Sequence, residues 1–353
     1  MKTFRILSIV LLMALAATAC SSPAATVAPT SPAVVAPTTA VQPTTPPAQP
    51  TAVAANPTAA ATAAAPATEA PTAAAAAPTS APVVFPTTVA ALPTGFKTIA
   101  AGKLTFCTDF PYPPQEFLDS AGKPQGVDVE IGNEIANRLK LTPAYVPTVF
   151  DSIIAAVAAG KCDAVLSAMN ITADRQKQVS MIPYFQAGQA FVTLKGNPNK
   201  ITGPMDLCGK VAAAESGTTE ADYLQGVGDY KDAGLTQECT KAGKQPITVV
   251  VTQKDTDALQ QLQAGKVVVY STDSPVAAYY TVQHPNDFEL VGTVLQPALE
   301  GINLPCGQAD CTTAPFTPLA QAIQYSLKQM MTDGTYAKIL DKWNLKSSAV
   351  TLQ

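Results

Sequence analysis

The chain has one histidine, His284, and one tryptophan, Trp343, in 353 residues. Its seven cysteines include no CxxC spacing, and His284 lies far from any cysteine pair. A zinc site needs clustered Cys and His ligands, so no metal site is expected. No GxSxG, HExxH or complete P-loop occurs, and Gly226-x-Gly228 lacks a third glycine and the strand context of a phosphate loop. There is no basic run and the formal net charge is −4, so nucleic acid is not an expected partner. After the N-terminus no apolar stretch is long enough to cross a membrane. Between Cys20 and Lys97 the only charged residue is Glu69.

Three segments divide the chain. Residues 1–20 read as an export signal: Lys2 and Arg5, the apolar run Ile6 to Leu15, then the small residues Ala16-Ala17-Thr18-Ala19. Cys20 follows at once, as in a bacterial lipoprotein signal, although Ala17 matches less well than the usual leucine. Lipidation of Cys20 and a membrane tether are expected; the alternative is plain secretion with a free Cys20. Residues 21–95 are mostly Ala, Pro, Thr, Val and Ser. Repeated proline forbids helix and central strand, and such small side chains make no core. They read as a disordered, semi-extended linker reaching at most ~3.1 Å per residue, with Thr/Pro content that permits O-glycosylation. Its alanines inflate the 47% hydrophobic share, which therefore says little about the folded part. Residues 96–353 are long enough for two lobes.

Export makes disulfides the natural use of the other six cysteines. Local logic favours one pairing among many. Cys306 and Cys311 flank a short Gly-Gln-Ala-Asp turn, Cys208 and Cys239 lie on either side of a helical region, and Cys107 and Cys162 fall on or beside neighbouring strands.

Strands and helices alternate. Leu104–Cys107, Ala144–Val146 and Asp163–Leu166 read as strands. Between them lie a helix with an apolar stripe at 127, 131, 135 and 139 and a small-residue helix, Ser152 to Ala159, closed by Gly160. This order predicts a parallel, doubly wound sheet. A second set contains strands Ala190–Leu194, Val211–Ala214, Ile247–Val251 and Val267–Tyr270, with helices from Thr219 and over Asp255–Ala264. Strand Glu289–Val291 and amphipathic helices near Pro318–Met331 and Thr335–Trp343 return to the first lobe. Lobe 1 is expected over 96–188 and 289–353, lobe 2 over 189–288, with two chain crossings as the hinge. Trp343 reads as core and His284 as a helix-end surface residue.

The segment Ser167-Ala168-Met169-Asn170-Ile171-Thr172-Ala173-Asp174-Arg175 follows a short apolar strand. Ligands of open α/β sheets sit at the carboxyl ends of strands. Arg175 offers a planar fork that suits a carboxylate. Its plainer reading is a helix cap or a surface ion pair.

Over about 100–345 the chain resembles the family 3 extracytoplasmic solute-binding proteins of ABC importers, which take polar amino acids. The matching pieces stand in order: Thr108 to Pro114, Gly126-Val127-Asp128-Val129, Phe150 to Ile154, Gly160-Lys161-Cys162-Asp163, Ser167 to Arg175, Ser216-Gly217-Thr218-Thr219, Asp273 to Ala278, and Asp333-Gly334-Thr335-Tyr336. The resemblance implies an α/β, two-lobed periplasmic-binding (Venus-flytrap) fold with doubly wound sheets, a two-strand hinge and a ligand between the lobes. It implies that Arg175 binds the ligand carboxylate and that Thr219 adds a donor at a helix start. Asp273 would pair with the ammonium, Ser167 and Asn170 would supplement either group, and Tyr112 and Phe150 would sandwich the side chain. A zwitterion independently asks for one fixed cation and one fixed anion. Placed in different lobes, Arg175 and Asp273 would make binding favour closure. Plainer readings are a helix N-cap for Asp273, turn packing for Tyr112 and core for Phe150.

The chain also departs from the family pattern. Ala168 and Asn170 stand where Ser or Thr is usual, Gln115 where Phe is usual, and Val268 where Asp is usual. Glu215 replaces an apolar residue near the side-chain pocket; with Asp109 it favours a cationic or amide ligand, or else it points to solvent. The expected protein is a monomeric, lipid-anchored, extracytoplasmic receptor without cofactor. It would deliver an amino acid to the membrane subunits of an ABC permease, with basic side chains slightly preferred over amides. A sensor for a membrane signalling partner, or a dehydratase-like enzyme on the same scaffold, are the alternatives. An Arg–Asp pair suits zwitterion capture better than proton transfer.

Overall fold

The computed structural model describes residues 82–83 and 89–352. The leader expected over 1–20, Cys20 and nearly all of the linker expected over 21–95 lie outside those residues.

The first lobe begins with β1 (Lys103–Thr108), α1 (Val127–Arg138), β2 (Thr142–Pro147), α2 (Ile153–Ala158), β3 (Ala164–Val165) and the short α3 (Ala173–Gln176). β4 (Ser180–Leu194) leads into the second lobe, which holds β5 (Val211–Glu215), α4 (Thr219–Gln225), α5 (Leu235–Lys241), β6 (Thr248–Thr252), α6 (Asp255–Gln263), β7 (Val269–Asp273) and α7 (Ser274–Gln283). β8 (Phe288–Leu304) returns, followed by α8 (Pro318–Thr332) and α9 (Thr335–Lys342).

The eight strands run in the order β2-β1-β3-β8-β4-β7-β5-β6. β1 pairs parallel with β2 and β3, and β5 pairs parallel with β6 and β7, as the βαβ alternation predicts. The two strands that carry the chain between lobes correct the expectation of a wholly parallel sheet. β4 and β8 are antiparallel to each other, β4 to β7, and β8 to β3. Both are also far longer than the short runs read from the sequence, at 15 and 17 residues. Gln186, Gly188 and Gln189 in β4, and Gly292 and Pro297 in β8, look like interruptions. The paired ladder carries them through as irregularities, with register shifts between Val291, Leu295, Ala298 and Gly301.

The first lobe's core packs Phe106, Ile131, Ile135, Leu166, Tyr184 and Ile302 against Ile323, Leu327 and Leu340 of α8 and α9. In the second lobe, adjacent strand residues serve opposite faces. Val192, Ala213 and Tyr270 join Leu259, Leu262 and Val276 on one side; Phe191, Ala212 and Val269 join Leu224 and Leu235 on the other. That is the period of two expected of strands buried on both faces. Trp343 packs edge-on to Phe117 at 5.8 Å and its Nε1 donates to Glu130, so it is a packing residue. His284 ends α7 and is exposed. All three expected disulfides are present: Cys107–Cys162, Cys208–Cys239 and Cys306–Cys311.

Candidate functional site

Parallel strands of the two half-sheets end facing one another. β1 runs out at Asp109 and the loop carrying Tyr112; β3 runs out into Ser167–Asn170. Across the cleft, β5 ends on Glu215 and β7 on Asp273. Between them is a narrow cavity. Asp109, Tyr112, Phe150, Ser167, Ala168 and Asn170 line it from one lobe, Glu215 and Asp273 from the other. Thr219 lines an adjoining, more open hollow that shares Asn170 and Asp273 with the first. Arg175 stands behind these walls. Pro111, Glu116, Thr218 and Glu220 complete the main cavity and were not singled out in the sequence. Glu116 and Glu220 adjoin motifs that were, which was the signal available for them. Lys254, which pairs with Asp109, carries no such signal.

Each residue is held by a local cause. Ala168 adopts a left-handed backbone, φ 44°, which costs a non-glycine residue strain. Its N–H donates to Asp128 Oδ2 at 3.0 Å. Ser167 Oγ accepts the Asp109 N–H at 2.9 Å and donates to Glu116 Oε1 at 2.7 Å, so it binds the loop together from within. Thr172 caps α3 by accepting the Arg175 N–H. This aims the guanidinium inward, where it is buried.

Arg175 reaches both lobes. Nη1 donates to the Asn170 carbonyl and Nη2 to the Gly217 carbonyl, each at 2.8 Å. Two of its five donors are thereby used. Its guanidinium lies 5.5 Å from the centre of the Phe150 ring, so Phe150 stacks on the cation. Burial lowers the Arg175 pKa, while Glu220, Asp222 and Asp273 oppose the shift; a guanidinium stays charged under such conditions. Thr219 Oγ1 donates to Asn170 Oδ1 at 2.7 Å, a second bond across the cleft. Tyr112 makes a third: its hydroxyl donates to Asp273 Oδ2 at 2.8 Å and accepts the Asp273 N–H at 3.1 Å. The expected aromatic pair is therefore split in task, with Tyr112 tied to Asp273 and Phe150 to Arg175. The Lys254 ammonium pairs with Asp109 Oδ1 and donates to the Phe110 carbonyl.

The walls are dominated by carboxyl groups. Glu215 is 5% exposed, so it faces the cavity and not solvent. Burial, then the charges of Asp255 and Asp109, push its pKa to about 10. Burial and Glu220 raise Asp273 well above the usual range; burial raises Glu116 and Glu220 too. Four carboxyl oxygens, Glu116 Oε2, Glu215 Oε1, Glu220 Oε1 and Asp273 Oδ1, are buried without a hydrogen-bond partner among the described residues. Buried acceptors of this kind are costly unless donors reach them. The described residues contain no grouping of His, Cys, Asp and Glu suited to a metal ion. Chemically, the walls offer acceptors suited to N–H donors beside one buried guanidinium suited to a carboxylate.

Residues 104–346 match the family of bacterial extracellular solute-binding proteins, family 3. The putative ABC transporter arginine-binding protein 2 of Escherichia coli K12 is 27% identical over 255 residues, covering 69% of this chain and 91% of its own length. An ancestral arginine-binding protein solved with arginine is 34% identical, with a TM-score of 0.59 over 69% of this chain and 98% of its own. Solved with glutamine, an ancestral arginine-binding protein is 33% identical, with a TM-score of 0.59 over 70% of this chain and 99% of its own.

Proposed function

Because the chain belongs to the bacterial extracellular solute-binding proteins of family 3, we propose that it captures a polar amino acid, with basic side chains preferred, between its lobes. The observation that carries this is the set of unpartnered carboxyl oxygens on both walls of one cavity beside a single buried guanidinium. An amino acid with a cationic side chain brings donors at two ends and a carboxylate at one. In this reading Arg175 takes the carboxylate with its remaining N–H groups, with Thr219 and Asn170 beside it. Asp273 takes the α-ammonium, and Glu215 and Asp109 face the side chain. Ser167 and Ala168 form the floor, and Tyr112 and Phe150 the apolar walls. A cationic guest would stabilise the ionised carboxylates that burial now disfavours. An acidic side chain would meet them as like charge.

Membership of the family supports a wider role. The loaded receptor would deliver its amino acid to the membrane subunits of an ABC permease, as a non-enzymatic monomer held at the cell surface through Cys20 and the linker of 21–95. Among the described residues no helix is long and apolar enough to cross a membrane. Titration calorimetry against arginine, lysine, histidine, glutamine, glutamate and aspartate tests the pocket. Tight binding of a basic or amide amino acid is expected; binding confined to the two acidic ones would overturn the reading.

A further inference from the structure

Asp109 faces the cavity, yet both of its oxygens are already taken. Oδ2 accepts the Phe150 N–H at 2.7 Å, and Oδ1 holds the Lys254 ammonium. Lys254 comes from the other lobe, from the residue that precedes α6, and the Phe110 carbonyl accepts a further bond from it at 3.1 Å. Glu215 lines the same cavity from the other lobe, buried, with Oε1 unpartnered, and its carboxyl feels the charges of both Asp109 and Lys254. The protein has thus placed a cation of its own beside the two acids that would attract a cationic side chain.

We infer that Lys254 sets the charge preference of the cavity: paired with Asp109, it cancels attraction that a guanidinium or ammonium guest would otherwise meet. This rests on the proposed amino-acid function and goes on to name the residue that tunes it. The effect is electrostatic. An ammonium held beside the cavity repels a second cation nearby, whereas an uncharged guest of the same shape feels little of it. The side chain of Lys254 is 30% exposed, so its charge can be removed without opening a hole in a core.

The test compares arginine with citrulline, its uncharged isostere, by calorimetry or competition on the intact protein. Lys254→Met is expected to shift the ratio of the two dissociation constants by about tenfold toward arginine. Lys254→Arg, which keeps the charge, should leave the ratio near that of the wild type. An equal change for both ligands in Lys254→Met would reduce Lys254 to a bridge between lobes and overturn the inference. So would an unaltered ratio, or a shift toward citrulline. The two readings fail separately: a wild type that binds only acidic amino acids sinks the proposed function. A wild type that binds arginine, with no ratio change in Lys254→Met, sinks only the role of Lys254.

Discussion

The two ends of the cleft are built on different principles. At the Arg175–Asp273 end, opposite charges are kept apart. Arg175 is held by carbonyls and by the Phe150 ring, Asp273 by the Tyr112 hydroxyl, and neither neutralises the other through a direct bond. At the Asp109–Glu215 end, charge is cancelled internally, because Lys254 sits on Asp109. The first end keeps a cation and an acid, one that a cationic guest can ionise, available to a guest that carries both charges. The second keeps its charge partly satisfied, so that a guest must compete for it. Separation of charge gives affinity for the part common to all amino acids; internal pairing sets discrimination among side chains.

The largest effect should come from breaking the first end. Arg175→Ala removes a buried guanidinium and two bonds to opposite lobes. It should weaken amino-acid binding by about 3 kcal/mol or more, with circular dichroism unchanged. Wild-type affinity in calorimetry would remove Arg175 from the site.

Closure should come next. Gly217 sits at φ +78°, and a Cβ there would lie 2.8 Å from the Asp151 Cα of the facing lobe. Gly217→Ala should therefore hold the lobes apart and cost about tenfold in affinity. X-ray scattering should then show less compaction on adding ligand; full compaction at wild-type affinity would contradict the close approach.

The second end can be sharpened by pH. The pKa of Glu215 is raised to about 10 in the folded protein, above its unfolded value near 4.5. The folded state therefore binds the extra proton, and Glu215 costs stability progressively as pH rises from about 4.5 toward 10. Asp255, raised to about 7 by burial, adds in the same direction over a lower window. Ligand-free wild type should melt higher at pH 5.5 than at pH 8, and Glu215→Gln should flatten that slope. Calorimetric scans that show the opposite slope, or no change in the variant, would mean that Glu215 is ionised in the folded state.

The smallest effect is expected from Tyr112→Phe, which keeps the ring and loses the hydroxyl between Asp273 and Thr272. Affinity should fall by about 1 kcal/mol. A loss as large as that of Arg175→Ala would make the tyrosine a principal contact, and the contrast between the ends would need redrawing.

The same contrast governs what could be read from the chain. Arg175, Thr219 and Asp273 stand in motifs at the ends of strands or the starts of helices, where position follows from local pattern. The three disulfides were also legible, because each joins neighbours in the expected topology. Glu215 and Asp109 were legible as acids, but the cation beside them was not. Lys254 lies 145 residues from its partner Asp109 in sequence, and no periodicity brings it there. The lengths of β4 and β8 were hidden for a related reason. Gly188 and Pro297 look like breaks until a partner strand, paired from a distant part of the chain, carries the ladder past them.

Those two strands have a consequence for unfolding. β4 and β8 pair along most of their length and belong to both half-sheets, so neither lobe owns a complete set of strands. Melting one lobe would strip one end of a shared ribbon and leave backbone donors and acceptors of the other exposed at a raw edge. On this topology the lobes are not separable domains in the energetic sense. Heating should produce one calorimetric transition rather than two, and a chain cut at the crossover should yield fragments that stick to one another instead of folding alone.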